Sequence, residues 1–193
     1  MKSDFEEKTL HRTQVYKGKV IELCVDTVML PNEKKGTREL IFHNGAVCVL
    51  IVNPAGKIVF VRQYRKALEQ SLLELPAGKL EVGENPREAI MREMNEEVGY
   101  TCSDVELLYT FYGCPGFCNE KLYLYRAIHP ELAVQKLEPD EDEFVEQIEL
   151  DIKEAFTLLE KGEIQDGKTI MALQYLYLEM LKNRSNGLNL IEE

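Results

Sequence analysis

From residue 1 to about 42, apolar and polar side chains alternate with the period of two that a half-buried β-strand requires. The segments Thr13 to Lys19, Val20 to Leu30 and Thr37 to His43 carry the pattern, with a turn at Pro31 to Gly36, and predict a small three-stranded antiparallel sheet. The next segment, Ala46 to Val52, is apolar on both faces, so it predicts a strand central to the main sheet. Asn53-Pro-Ala-Gly56 then predicts a turn that pairs it as a hairpin with Lys57 to Arg65. Ser71 to Ala77 reads as one further strand leading into Gly78, where the missing side chain lets the backbone turn close to a ligand. Strands are predicted over Asp104 to Phe111 and Lys121 to Ile128, on either side of the loop Tyr112 to Glu120, which is rich in glycine and proline. An acidic loop, Leu137 to Glu143, precedes a last strand at Glu146 to Leu150. Two amphipathic helices follow, Asp151 to Lys161 and Thr169 to Asn183, and within the second Tyr175, Tyr177 and Met180 have the spacing of packing residues.

The period changes to that of a helix between Pro86 and Val98. Asn85 can cap it, Pro86 suits the first helical position, Glu88 stands three residues after the cap, and Gly99 is a natural stop. At about 3.6 residues per turn, Ile90, Met91, Met94 and Val98 share one face, while Glu93, Glu96 and Glu97 share the opposite one. That acidic face is unfavourable by itself. Like charges three or four residues apart cost roughly 0.2–0.5 kcal/mol a pair, and Glu96 and Glu97 sit near the negative end of the helix dipole. Arg92 supplies one compensating charge. Converging with Glu84 and the backbone before Gly78, the carboxylates predict an oxygen-ligand site for Mg²⁺ or Mn²⁺, against the plainer reading of a solvated helix face.

Length and charge narrow the function classes. The 193 residues suffice for one domain with a full core and a small appendage, and 45% apolar with 30% charged residues is ordinary for a soluble globular protein. The formal charge, 23 − 34 = −11, argues against a general binder of nucleic acid or membrane surfaces. An acidic protein that handles phosphates does so through metal and a few local basic residues. The charged start MKSDFEEKTL and the lack of long apolar runs predict neither a signal peptide nor a membrane span, hence a cytoplasmic protein. Five cysteines without paired CxxC spacing read as reduced thiols, with Cys114 and Cys118 shaping a loop.

The acidic stretch runs Gly78, five residues, Glu84, seven residues, Arg92-Glu93-Met94, one residue, Glu96-Glu97, one residue, Gly99-Tyr100. It resembles the signature box of the Nudix hydrolases at every fixed position, Tyr100 standing where a branched aliphatic residue is usual. Four features outside the box resemble the ADP-ribose pyrophosphatases of that family. These are the N-terminal extension, the run Val61-Arg-Gln-Tyr-Arg65, Pro115 fifteen residues beyond the box, and the segment Gly162 to Leu176. The likeness implies an α/β/α sandwich with a mixed sheet over residues 43–193, preceded by an antiparallel β-sheet over residues 1–42 that takes part in dimerisation and substrate contact. The small sheet has no helix to cover it, and three strands alone are marginal in water, so a homodimer is expected on physical grounds as well.

Carried over by position, the resemblance implies that the Ala77 carbonyl, Glu93 and Glu97 hold the metal, with Glu84 and Glu96 in support. Arg65 is implied as a contact to phosphate, Arg62 as its neighbour and Glu120 as a contact to ribose, with Tyr16 a candidate to stack on the base. A general base is expected outside the box, because a carboxylate bound to metal is a poor proton acceptor. The family's acidic loop motif falls on Glu141, taken as the base, and Glu143, an extra ligand, with Glu96 or Glu97 of the box the next choice. The implied reaction is Mg²⁺-dependent hydrolysis of ADP-ribose to AMP and ribose 5-phosphate. Its rivals are a nucleotide-sugar pyrophosphatase acting, for instance, on GDP-mannose, and a non-catalytic ligand-binding regulator, which the intact box disfavours.

Overall fold

The computed structural model describes residues 5–138 and 144–189, with side chains described to residue 183. Strands β1 (Lys8–Lys17), β2 (Glu22–Met29) and β3 (Lys35–Phe42) form the N-terminal antiparallel sheet in that order. β1 starts earlier than the alternation suggested and is exposed along its whole length. β2 turns Cys24, Asp26 and Val28 inward. Burying a carboxylate requires a partner, and Asp26 has two: Arg12 donates to it through two nitrogens at 2.7 Å each, and Thr9 through its hydroxyl at 3.1 Å.

The predicted hairpin is corrected. β4 (Ala46–Leu50) and β5 (Lys57–Arg65) meet only near their turn, where Asn53 N–H donates to the Lys57 carbonyl at 2.8 Å and Val59 N–H to the Ile51 carbonyl at 3.0 Å. Beyond it they diverge into two sheets, because each strand has both edges filled by other partners. β4 lies between β7 (Ala77–Lys79) and the parallel strand β10 (Lys121–Ile128), with β9 (Asp104–Tyr112) outside β10. β5 lies between β6 (Gln70–Glu74) and β12 (Val145–Asp151). The strand expected over 71–77 is likewise two, broken at Leu75-Pro76. Proline has no N–H for the ladder; instead the Pro76 carbonyl accepts from Val49 N–H at 3.0 Å, and Leu75 N–H turns to Thr169 Oγ1 at 2.8 Å.

The remaining elements are α1 (Pro86–Val98), the short strands β8 (Tyr100–Thr101) and β11 (Glu131–Leu132), α2 (Ile152–Glu160) and α3 (Gly167–Asn189). Side-chain alternation on β4 and β5 separates two cores. Val47, Val49, Ile51, Val59 and Val61 pack with Ala89, Ile90, Met94 and Val98 of α1. Cys48, Leu50, Ile58 and Phe60 pack with Ala155 of α2 and with Ala172, Leu173 and Leu176 of α3. The result is a mixed α/β/α sandwich. Tyr175 and Met180 join the second core, whereas Tyr177 is half-exposed with its ring edge-on to Phe156.

Tyr100 has a polar reason to be aromatic. Its buried hydroxyl donates to Glu149 Oε1 on β12 at 2.9 Å, and Asn53 Nδ2 donates to Glu149 Oε2 at 3.0 Å. Burial, reinforced by Glu149, raises the phenol's pKa. Among the described residues no helix is long and apolar enough to cross a membrane.

Candidate active site

Local chemistry sets α1 in place. The Asn85 side chain accepts from Arg87 N–H at 2.9 Å, and Gly99, at φ 63°, closes the helix by donating to the Asn95 carbonyl at 2.8 Å. The acidic face, however, is not a solvated one. Glu93 is 7% exposed and Glu97 3%. Glu97 Oε2 accepts from Ala77 N–H at 2.9 Å, and a Cβ placed on Gly78 would lie 1.9 Å from Glu93 Cδ. The Glu93 carboxylate therefore rests against the backbone of β7, which pairing with Val47 and Cys48 of β4 holds in place. Gly78 is required by that close approach.

The other two acids of the box turn to Arg92. Its guanidinium reaches Glu96 at 2.7 Å, Glu93 at 3.0 Å and Glu84 at 3.1 Å. Burial opposes the arginine's charge, but Glu93, Glu84 and Glu96 outweigh it and raise its pKa further. Glu84 also accepts from Glu81 N–H at 2.9 Å; that bond first, and Arg92 second, hold its carboxyl below the usual range. Among the described residues no three acids, histidines or cysteines converge as a metal cage. The Glu93 and Glu97 carboxylates nevertheless lie against the Ala77–Gly78 backbone, on a cradle that a Cβ would fill, and such hard oxygen donors fit Mg²⁺ or Mn²⁺.

Ala77, Gly78 and Glu93 line a cleft of about 810 Å³ together with Arg65, Glu74, Glu120 and Lys168. Glu74, 1% exposed, accepts from Arg65 Nε at 2.6 Å and Nη2 at 2.7 Å, and pairs with Lys168 as well. Lys168 also meets Asp166 at 3.0 Å. Asp166 Oδ2 in turn accepts from Thr169 N–H at 3.0 Å and Thr169 Oγ1 at 2.6 Å. Burial pushes the Glu74 carboxyl up, yet the two cations prevail and hold it below the usual range. The hydrogen bond to Glu74 raises the pKa of Arg65, with Asp166 and Glu97 adding to the effect, so Arg65 lies within the field of the box acids.

Of the residues singled out from sequence, Arg65, Ala77, Glu93 and Glu120 line this one cleft, and Glu84 and Glu96 adjoin it through Arg92. Glu120 faces His43 at 3.6 Å. Arg62 stands elsewhere, paired with Glu146 at 3.1 Å beside a second cleft of about 480 Å³ that Glu97, Lys136 and Phe144 also line. Tyr16, on β1, is 55% exposed and lines neither cleft. Glu141 and Glu143 lie outside the described residues. Sequence reasoning passed over Glu74 and Lys168. Their available signals were an acid inside the apolar run Leu72 to Leu75, and the Asp-Gly-Lys-Thr run at 166 to 169.

Residues 42–173 match the family model of the NUDIX domain. The chain is 46% identical over 179 residues to the ADP-ribose pyrophosphatase of Bacillus subtilis (strain 168), covering 93% of this chain and 96% of that one. It is also 46% identical over 181 residues to the methanol dehydrogenase activator of Bacillus methanolicus, covering 93% of this chain and 98% of that one. A GDP-mannose pyrophosphatase of Yersinia enterocolitica is 37% identical over 147 residues, 72% of this chain and 75% of the relative. Among solved structures, one described as an ADP compounds hydrolase superimposes with a TM-score of 0.81, covering 95% of this chain and 98% of that chain; at 24% identity it speaks for the fold alone.

Proposed function

The chain belongs to the NUDIX domain family, and from that premise we propose that it hydrolyses the diphosphate bond of ADP-ribose to give AMP and ribose 5-phosphate. The observation that carries the proposal is one cleft lined both by the Glu93 carboxylate on its Ala77–Gly78 cradle and by the Arg65–Glu74–Lys168 cluster. The 46% identity to an ADP-ribose pyrophosphatase, over nearly the whole of both chains, supports ADP-ribose as the substrate. GDP-mannose is the second reading, because a GDP-mannose pyrophosphatase is similar over a smaller part of the chain. A Mg²⁺-dependent turnover screen over ADP-ribose, sugar nucleotides, NADH and diadenosine polyphosphates, with products resolved, tests the choice. A kcat/KM higher for GDP-mannose than for ADP-ribose would reverse it.

Glu93, Glu97 and the Ala77 carbonyl would hold Mg²⁺, or Mn²⁺ as a substitute, with Glu84 and Glu96 supporting. When bound, such an ion neutralises a diphosphate and lowers the pKa of a coordinated water. Arg65 spends two of its five donors on Glu74 and keeps the others for a phosphate oxygen. Glu120, which lines the same cleft, takes a ribose hydroxyl; Arg62 reaches the substrate from the second cleft, and Tyr16, exposed on β1, stacks on the base.

The proton of the attacking water goes to Glu141, with Glu143 as an extra ligand and Glu96 as the next candidate base. What supports this is the anchoring of the chain just before them. Leu137 N–H donates to Asn95 Oδ1 at 2.8 Å and Lys136 Nζ to the Glu97 carbonyl at 3.2 Å, so Lys136 and Leu137 are tied to the site helix itself. Glu141→Gln is expected to lower kcat by about 10²-fold or more and to alter its pH profile, with little change in Mg²⁺ dependence. If both Glu141→Gln and Glu143→Gln keep the wild-type kcat and profile, the base lies elsewhere.

The protein is a cytoplasmic homodimer in which residues 1–42 serve the interface of the domain formed by 43–193. β1, exposed along its whole length, carries the apolar side chains Leu10, Val15 and Tyr16 that a second copy can cover, and the five cysteines are free. Sedimentation of a fully active monomer at micromolar concentration would refute the dimer, and recovery of the protein outside the cytoplasm on cell fractionation would refute the location.

A further inference from the structure

We propose that Lys168 is a positioning residue for the diphosphate: it acts on substrate through Glu74 and Arg65 and sets the charge of the cleft wall they form. This rests on the reading that the cleft takes a nucleoside diphosphate, and deepens it.

Lys168 is 8% exposed, and a long cationic side chain is buried to that extent only when paired. Its ammonium lies between the carboxylates of Glu74 and Asp166. Glu74 holds Arg65 by a planar two-point bond that fixes the plane of the guanidinium. Two acids and two bases thus make a neutral wall: Glu74 and Asp166 are balanced by Arg65 and Lys168. Remove the Lys168 charge and the wall carries a net negative charge near the box acids, where an anionic diphosphate must sit. Arg65 is then left to neutralise Glu74 alone, and its remaining donors are drawn from the ligand. No contact between Lys168 and substrate is needed. The connection spans the chain, since Lys168 and Glu74 are 94 residues apart in sequence, and Thr169, beside Lys168, holds the broken strand through Leu75 N–H.

Charge balance can be separated from packing. In Lys168→Met, KM for ADP-ribose is expected to rise by more than about tenfold with kcat within about threefold, the pattern of lost uniform binding. The dissociation constant of ADP, measured by calorimetry, is expected to weaken in parallel. Adding Asp166→Asn removes one negative charge and retains an oxygen for Thr169, so the double variant should recover both constants to within about threefold of wild type. A purely structural lysine would show itself in Tm without that recovery. Should Lys168→Met fail to fold, Asp166→Asn alone carries the test: a more positive wall is expected to tighten ADP binding. The proposal is overturned by unchanged KM and ADP affinity in a folded Lys168→Met, by a loss confined to kcat, by no recovery in the double variant, by weaker ADP binding in Asp166→Asn, or by a wild type that does not bind ADP. The two arms also separate this proposal from the choice of substrate. ADP binding that follows the charge while ADP-ribose is not turned over upholds Lys168 and rejects ADP-ribose.

Discussion

Glu97→Gln is expected to lower kcat by at least about 10³-fold at saturating Mg²⁺ while the protein stays folded. The substitution keeps the shape of a side chain that is only 3% exposed. Its amide oxygen can still accept from Ala77 N–H, the bond that Glu97 Oε2 makes at 2.9 Å. What disappears is one negative charge at the oxygen cradle, where a hard cation is held largely by charge. Two measurements check the expectation: kcat against Mg²⁺ concentration, and direct Mn²⁺ binding to the resting protein, which should weaken in step. A variant within tenfold of wild type, or one with unaltered Mn²⁺ binding, sinks the metal assignment.

Gly78→Ala should cost about 10²-fold or more in kcat with only a small change in Tm. The added methyl would sit 1.9 Å from Glu93 Cδ and 2.2 Å from its Oε1. Backbone strain is not the cause, since Gly78 is absent from the glycines of positive φ. The collision is with the far end of a flexible side chain, so Glu93 moves and the fold survives; the site loses the carboxylate that rests on the cradle. Gly99→Ala provides the contrast. There φ is 63°, and the new Cβ would be 3.3 Å from Lys136 Cδ, an accommodating contact. Its cost is the left-handed conformation, about 1 kcal/mol of stability, with kcat nearly kept. Equal losses of kcat in the two variants would contradict the cradle.

Sequence alone determined the parts of this protein that neighbouring residues decide between themselves. The helix Pro86–Val98 was legible to the residue, because its cap at Asn85, its proline and its glycine stop act over three or four positions. The alternation of the N-terminal strands and the double-sided apolarity of Ala46 to Leu50 likewise announced a small sheet and a central strand. The spacing from Gly78 to Tyr100 resembles the family's box, and, separately, a helix that stacks acids against their mutual repulsion needs a cation to answer them. Tertiary structure decided who partners whom. A turn at Asn53 to Gly56 cannot tell whether its strands stay together; here the edges of each are taken by β7 and β10, or by β6 and β12, and the two diverge. Helical spacing placed Glu93, Glu96 and Glu97 on one face, but not the fact that β7 covers Glu93 and Glu97 while Arg92 gathers Glu84 and Glu96. Nor could a local pattern join Lys168 to Glu74, for a buried charge is satisfied by whatever group the fold brings within reach, and that group stands on another element, 94 residues away.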